Sequence, residues 1–141
     1  MMTISKFVAE SYKCAVCACS WGCFAWMEAE LVTEAIQLER VVLIDEPNLS
    51  VSYIKRGAGS VVEGDFFKRG LLWAHRQIAN EERLCVDVRR LDFNYCDFQP
   101  EILFFLSAGW LLQTGNNQEL KFDWSYDKAA NRYNFVFPDE Q

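Results

Sequence analysis

The most uniformly apolar stretch of the chain covers residues 100–113. Pro100 suits the first turn of a helix, where no N–H is needed, and Gly115 is a suitable helix end. Ser107 is a rare polar side chain within the stretch. A helix that is apolar on every side is buried or spans a membrane, and a span needs about 20 apolar residues. We therefore predict a buried central helix over residues 100–113, with a partly exposed partner surface as the alternative.

Residues 4–40 repeat their apolar positions every three or four residues, which is the period of a helix. The repeating positions include Ile4, Val8, Tyr12, Ala15, Cys19, Cys23 and Trp26. One helix over residues 5–40 would be about 54 Å long, which is too long for a compact domain of 141 residues. We therefore predict two N-terminal helices with a break near residues 20–22.

Shorter patterns predict strands and a further helix in the middle of the chain. Residues 41–44 and 49–55 suit two short strands around a turn at Pro47. Residues 83–95 suit a strand whose apolar phase slips at Arg89 and Arg90, which indicates a β-bulge. Between these strands, a helix is predicted from Asp65 to about residue 79. Its apolar stripe is Phe67, Leu71, Ala74 and Ile78.

Aromatic residues alternate with polar ones in residues 120–126 and 133–137, on either side of a polar turn. This pattern predicts a C-terminal β-hairpin, which we expect to supply the last two strands of the sheet. The element order predicts an α+β fold in a single domain of residues 1–141. We expect an antiparallel or mixed sheet of about five strands, N-terminal helices and the buried central helix over residues 100–113.

The chain is acidic, with 14 Lys and Arg against 20 Asp and Glu and a net charge of −6. Proteins that bind nucleic acid neutralise phosphates with Lys and Arg, so this charge argues against direct nucleic-acid binding. We expect Arg83, Arg89 and Arg90, in the mildly basic middle, to pair with the acidic ends of the same chain. Residues 1–40 lack the pattern of a secretory signal, so we predict a cytoplasmic protein without a membrane partner.

Four of the six cysteines are close in sequence: Cys14, Cys17, Cys19 and Cys23. Zinc takes four ligands in a tetrahedron, usually from two separated pairs. In the predicted helix Cys19 and Cys23 would share a face that the other two do not reach. We therefore expect reduced thiols and no metal or cofactor. A zinc or iron–sulfur site and a redox pair of Cys14 with Cys17 stay open as alternatives.

The acidic charge and the lack of a recognisable reaction centre favour a binding function. We expect a non-enzymatic, protein-binding inhibitor of the immunity or antitoxin type, which neutralises a basic nuclease toxin by covering its active surface. The predicted partner-binding residues are Glu28, Glu30 and Glu34 on the second helix, whose acidic side Glu39 extends, and Asp123 and Asp127 on the hairpin.

Other functions remain open at this stage. The acidic residues would also suit a mimic of nucleic acid that inhibits a DNA- or RNA-guided machine, or they are an ordinary solvated surface. A small enzyme would use His75, the one histidine, or Cys85, although no nucleophile can be paired with His75 from sequence. A homo-oligomeric structural protein is a further alternative, and the sequence leaves the oligomeric state open.

Overall fold

The computed structural model describes residues 10–18, 21–35, 38–54, 65–78, 83–93 and 98–140. Within these ranges the elements are, in order, β1 (Glu10–Cys17), β2 (Gly22–Val32), β3 (Arg40–Glu46), β4 (Leu49–Ile54), α1 (Asp65–Gln77), β5 (Leu84–Phe93), α2 (Ile102–Asn116), β6 (Trp124–Asp127) and β7 (Arg132–Phe135). None of the helices in these ranges is long and apolar enough to cross a membrane.

The first five strands form a mixed sheet in the order β1-β2-β5-β4-β3. Strands β4 and β5 are parallel neighbours, and every other neighbouring pair in this sheet is antiparallel. Helix α1 connects the parallel pair, as parallel strands require a crossover. Strands β6 and β7 form a separate antiparallel hairpin. The predicted α+β class, five-stranded sheet, buried central helix and C-terminal hairpin are therefore confirmed.

The two predicted N-terminal helices are wrong, because the described residues there form β1 and β2. The two strands pair antiparallel from Glu10 opposite Ala29 to Cys17 opposite Gly22. The inward positions of β2 hold small or flexible residues, whereas bulky Phe24 and Trp26 point the other way. Because both sides of β2 carry apolar groups, the alternation of a strand is hidden, and strand pairing overrides the apparent helical period. The part of the prediction on residues 4–9 lies outside the described residues.

The C-terminal hairpin does not extend the main sheet, so its predicted place was wrong. It packs instead beside α2, where the ring of Phe135 stacks on Phe105 with 5.4 Å between centroids. Its Tyr133 hydroxyl donates to the Trp21 carbonyl and accepts from the Ala18 N–H, at the turn between β1 and β2. Alternation along a strand indicates which side is buried but does not name the neighbouring strand. The two further strands of the five-stranded sheet are β1 and β2 instead.

Helix α2 is buried from Ile102 to Leu112 and packs against α1, β1 and β2. The two helices approach closely at Gly70, where a Cβ would overlap the Phe104 carbonyl oxygen and the Ser107 hydroxyl. That hydroxyl donates to the Phe67 carbonyl oxygen at 2.8 Å, which satisfies the one polar group in the middle of the helix. The chain leaves α2 through Asn117, which is left-handed with φ of 48°, rather than at Gly115.

Two smaller predictions about the middle of the chain are also confirmed. The stripe of α1 is buried at Phe67, Leu71, Ala74 and Ile78. On β5, Arg90 lies opposite Glu28 while Val88 lies opposite Ala29. Arg89 is therefore the extra residue of a β-bulge, which allows Val88 and Leu91 to be buried on the same side of the sheet.

Candidate functional site

The two sides of the five-stranded sheet differ in what they contact. The side that faces α1 and α2, here named the covered face, contributes residues such as Met27, Val51 and Val86 to the hydrophobic core. The intervening positions form the opposite side, here named the open face. By strand register its members include Lys13, Phe24, Trp26, Glu28, Glu30, Arg40, Val42, Asp45, Ser50, Ser52, Asp87, Arg90 and Asp92.

An ion-pair cluster around two buried carboxylates, Asp87 and Glu30, lies at the centre of the open face. Asp87 has no solvent exposure, and its carboxylate accepts from Nε and Nη2 of Arg40 at 2.6 and 3.1 Å. Arg89, displaced by the bulge, reaches Asp87 at 3.4 Å and also pairs with Glu30. The hydrogen bonds that Arg40 donates to Asp87 raise the pKa of Arg40, so this guanidinium stays charged. Two cations and two carboxylates balance, which satisfies charges that would be costly to bury alone.

An aromatic patch lies beside this cluster, on β1, β2 and β5. It consists of Lys13, Phe24, Trp26, Glu28 and Arg90. Phe24 and Trp26 are half-buried; the Lys13 ammonium lies 5.1 Å from the Phe24 ring centroid, and the Arg90 guanidinium lies 5.2 Å from that of Trp26. Arg90 is held by Asp92 at 2.9 Å. Trp and Arg are enriched among residues that dominate protein interfaces, so this patch has the composition of a binding surface.

A cavity of about 360 Å³ opens at the β3–β4 side of the open face. Its described lining includes Arg40, Val42, Asp45, Ser50, Ser52 and Arg83. Ser50 and Ser52 are nearly covered, whereas Val42 is 66% exposed. The volume lies within the range of roughly 300–1,000 Å³ that is typical of small-molecule sites.

The structure distributes the predicted partner-binding residues over several environments. Glu28 and Glu30 are on the same side of β2, but only Glu28 belongs to the aromatic patch, since Glu30 is buried against Arg89. Glu34 is exposed just after β2. Asp123 and Asp127 are exposed on the hairpin, and the Asp127 carboxylate accepts from the N–H groups of Ala129 and Ala130 in the turn.

The hairpin carboxylates do not join those of β2 in one surface. Asp123 follows Phe122, whose ring stacks on Phe105 of α2 at 4.3 Å, and α2 lies on the covered face. Asp127 closes the turn at Asn131, which accepts from the Trp21 indole at 2.9 Å. Seven residues of extended strand, about 23 Å, separate Trp21 from Glu28. The predicted set is therefore divided between the open face and the hairpin.

The basic middle of the chain pairs with acidic residues of the flanking parts, as the sequence predicted. Arg89 pairs with Glu30, and Arg83 lies 3.7 Å from Asp45. Arg69 donates to Glu140 at 2.9 Å. These pairs neutralise arginines of the basic middle within the chain.

The cysteines form no common site among the described residues. Cys14 and Cys23 are buried, whereas Cys17 is exposed, because positions three apart on a strand point to opposite faces. Burial, with a smaller contribution from Cys23, raises the pKa of the Cys14 thiol to about 12, so this thiol stays protonated. The described residues contain no group of three or more metal-ligating side chains. Cys19 and Cys96 lie outside the described residues.

His75 is half-buried on α1. Its Nε2 is shielded from solvent and has no hydrogen-bond partner among the described residues. A general base must reach the proton that it transfers, and this nitrogen has no route to solvent through the described surface. An enzyme that uses His75 stays an alternative prediction from the sequence.

Sequence reasoning missed the aromatic patch and the cavity, because it assigned Trp26 to a helix and did not place the β3–β4 pair beside β5. The alternation of Phe24, Trp26 and Glu28 with Cys23, Ala25 and Met27 was the available signal. No protein-family model, curated protein or solved structure matches this chain. The function is therefore inferred from the open face and the charge of the molecule.

Proposed function

We propose that this chain is a protein-binding inhibitor of the immunity or antitoxin type, which neutralises a basic nuclease toxin by covering its active surface. The observation that carries the proposal is the aromatic patch on the open face. There Phe24 and Trp26 lie beside Glu28, a carboxylate that forms no ion pair with the other described residues. Aromatic anchors at the centre, with charged residues at the rim, are the usual arrangement of a specific interface.

The patch is also preorganised for binding. Arg90 is held between the Trp26 ring and the Asp92 carboxylate, and Phe24 lies under the Lys13 ammonium. Side chains that are already ordered lose less conformational entropy when a partner covers them. A partner that buries the half-exposed rings of Phe24 and Trp26 would therefore keep most of the free energy of that burial.

The charge of the molecule supports a basic partner. The net charge is −6, and each described arginine except Arg76 already forms an ion pair with a carboxylate. Exposed Glu34, Glu39 and Glu46 form none with the described residues. A surface with such an excess of free carboxylates attracts a basic protein from a distance and repels acidic ones.

The first experiment uses the tagged protein as bait in an extract of its source cells, with washes at low and then moderate salt. We expect a basic protein at near-equal amount, whose nuclease activity falls to the background level at one equivalent of the chain. Recovery of no basic partner, or of one that keeps its activity, would contradict the proposal. A target that is instead a DNA- or RNA-guided machine, displaced from nucleic acid in a salt-dependent way, would support the mimic alternative.

Matched variants locate the interface on the captured complex. Trp26→Ala and Glu28→Lys should each weaken binding by about tenfold or more, the effect of losing an anchor of roughly 1.4 kcal/mol. Asp123→Lys, an equal charge reversal on the hairpin, should leave the affinity within about twofold. Loss of binding in Asp123→Lys with retention in Glu28→Lys would move the interface to the hairpin.

A further inference from the structure

The cavity at the β3–β4 side of the open face contains hydrogen-bond donors that the described residues do not use. Ser50 and Ser52 are 7% and 4% exposed, and neither hydroxyl bonds to another described residue. Arg40 gives three N–H groups to Asp87 and the Leu38 carbonyl. A guanidinium has five such groups, so two N–H groups of Arg40 form no hydrogen bond with the described residues.

Arg83 supplies a second cation at the edge of the cavity, and its present contacts are weak. Its guanidinium lies 3.7 Å from an Asp45 oxygen and 3.4 Å from the Pro47 carbonyl oxygen. Both Arg83 and Asp45 are largely exposed, at 47% and 78%. Long, solvated contacts of this kind contribute little free energy, so Arg83 can turn to a ligand at small cost.

Donors outnumber acceptors among the lining side chains. The Asp45 carboxylate is the acceptor charge in the described lining, and it lies at the exposed rim beside Arg83. The charge of Asp87 beneath Arg40 is already shared with Arg89. A bound cation would face two guanidinium groups, whereas an anion would gain charge-assisted hydrogen bonds.

We propose that this cavity binds a small molecule through an oxyanion group, either a carboxylate or a phosphate. The oxyanion accepts from Arg83, from the free N–H groups of Arg40 and from the hydroxyls of Ser50 and Ser52. Val42 contacts a short apolar part of the same molecule. The site lies away from the aromatic patch, so it does not depend on the proposed inhibitor function.

The test is a titration of the isotope-labelled protein with inorganic phosphate and, separately, with acetate, followed by NMR. We expect saturable shifts of the Ser50, Ser52 and Arg83 amides with at least one of the two ions. Saturation by phosphate alone assigns a phosphorylated ligand, and saturation by acetate alone assigns a carboxylate. Absence of saturable shifts with both ions would overturn the proposal.

Variants that change one charge distinguish an anion site from a cation site. Arg83→Gln should raise the Kd by about tenfold or more, as expected for the loss of a hydrogen bond to a charged group. Asp45→Asn should lower the Kd, because it removes the negative charge of the described lining, which repels an anion. Arg90→Gln, which removes another paired arginine of the open face outside the cavity, should leave the Kd unchanged.

The opposite signs for Asp45→Asn and Arg83→Gln would show a cation site and contradict the proposal. An equal increase of the Kd in Arg83→Gln and Arg90→Gln would show that anions are attracted to the open face in general. This result would also contradict a specific site in the cavity. Because both altered residues are exposed, thermal unfolding of each variant should match that of the original chain.

Discussion

The two faces of the five-stranded sheet use alternate residues of the same strands, yet different interactions stabilise them. On the covered face, Met27 and Val88 are fully buried among apolar side chains. On the open face, Asp87 is equally buried, but its negative charge is balanced by Arg40 and Arg89. Apolar burial tolerates many arrangements, whereas an ion-pair cluster needs each partner in place. The ion-pair cluster of the open face should therefore depend more strongly on the identity of each side chain than the apolar packing of the covered face does.

Two neighbouring residues of β2 give the strongest test of the difference in stability between the two faces. Met27→Ala should lower the free energy of unfolding by about 2–5 kcal/mol, because it leaves a void in the core. Trp26→Ala, on the open face, should cost less than about 2 kcal/mol, mainly its partial burial and its contact with Arg90. Urea denaturation measures both values. Equal losses, or a larger loss for Trp26→Ala, would mean that the open face is also part of the core.

A second comparison sets a buried carboxylate of β5 against an exposed one. Asp87→Asn should lower the free energy of unfolding by about 3 kcal/mol, because it leaves the Arg40 guanidinium, whose side chain is only 13% exposed, without its charge partner. Asp92→Asn breaks a pair whose side chains are 61% and 50% exposed, so it should cost less than about 1 kcal/mol. Urea denaturation of each variant, at low and at high salt, measures the two losses in the free energy of unfolding. Similar costs for both variants would contradict a stabilising role of the cluster.

The smallest expected effect concerns the ion pair between Arg69 of α1 and Glu140. Helix α1 packs on the covered face of the sheet. Arg69 hydrogen-bonds Glu140 and thereby lowers the pKa of its carboxyl group. A lowered pKa in the folded state adds stability above the unfolded pKa of about 4.3, and this stability is lost as pH falls through the folded value. Glu140→Gln should therefore cost less than about 1 kcal/mol at neutral pH, and the difference should vanish in acid.

The matched control for this effect is Glu46→Gln. Glu46 is exposed and forms no ion pair with the described residues, so the variant should follow the original chain at each pH. Thermal unfolding between pH 3 and 7, in steps of about one unit around the carboxylate range, gives both curves. A Glu140→Gln deficit that persists at the lowest pH would show that packing, rather than the charge, holds the C-terminal segment.

The hairpin and the N-terminal strands show where prediction from sequence succeeds. Residues 120–137 alternate cleanly because one side of each strand is aromatic and the other polar, so the hairpin was predicted, although its strands are shorter than expected. In β2, Phe24 and Trp26 occupy the open face while Ala25 and Met27 occupy the covered face. With apolar groups on both sides, the sequence pattern has no distinct strand period.

By itself, the sequence determined the buried helix α2, the stripe of α1 and the bulge at Arg89, because each is visible in the spacing of apolar side chains along one segment. The tertiary structure decided which strands are neighbours, and this brought Arg40, Glu30 and Asp87 together from three strands. It also divided the predicted carboxylates between the open face and the hairpin. The physical reason is that periodicity reports the local direction of a side chain, while charge pairing and cavities depend on contacts between residues far apart in the chain.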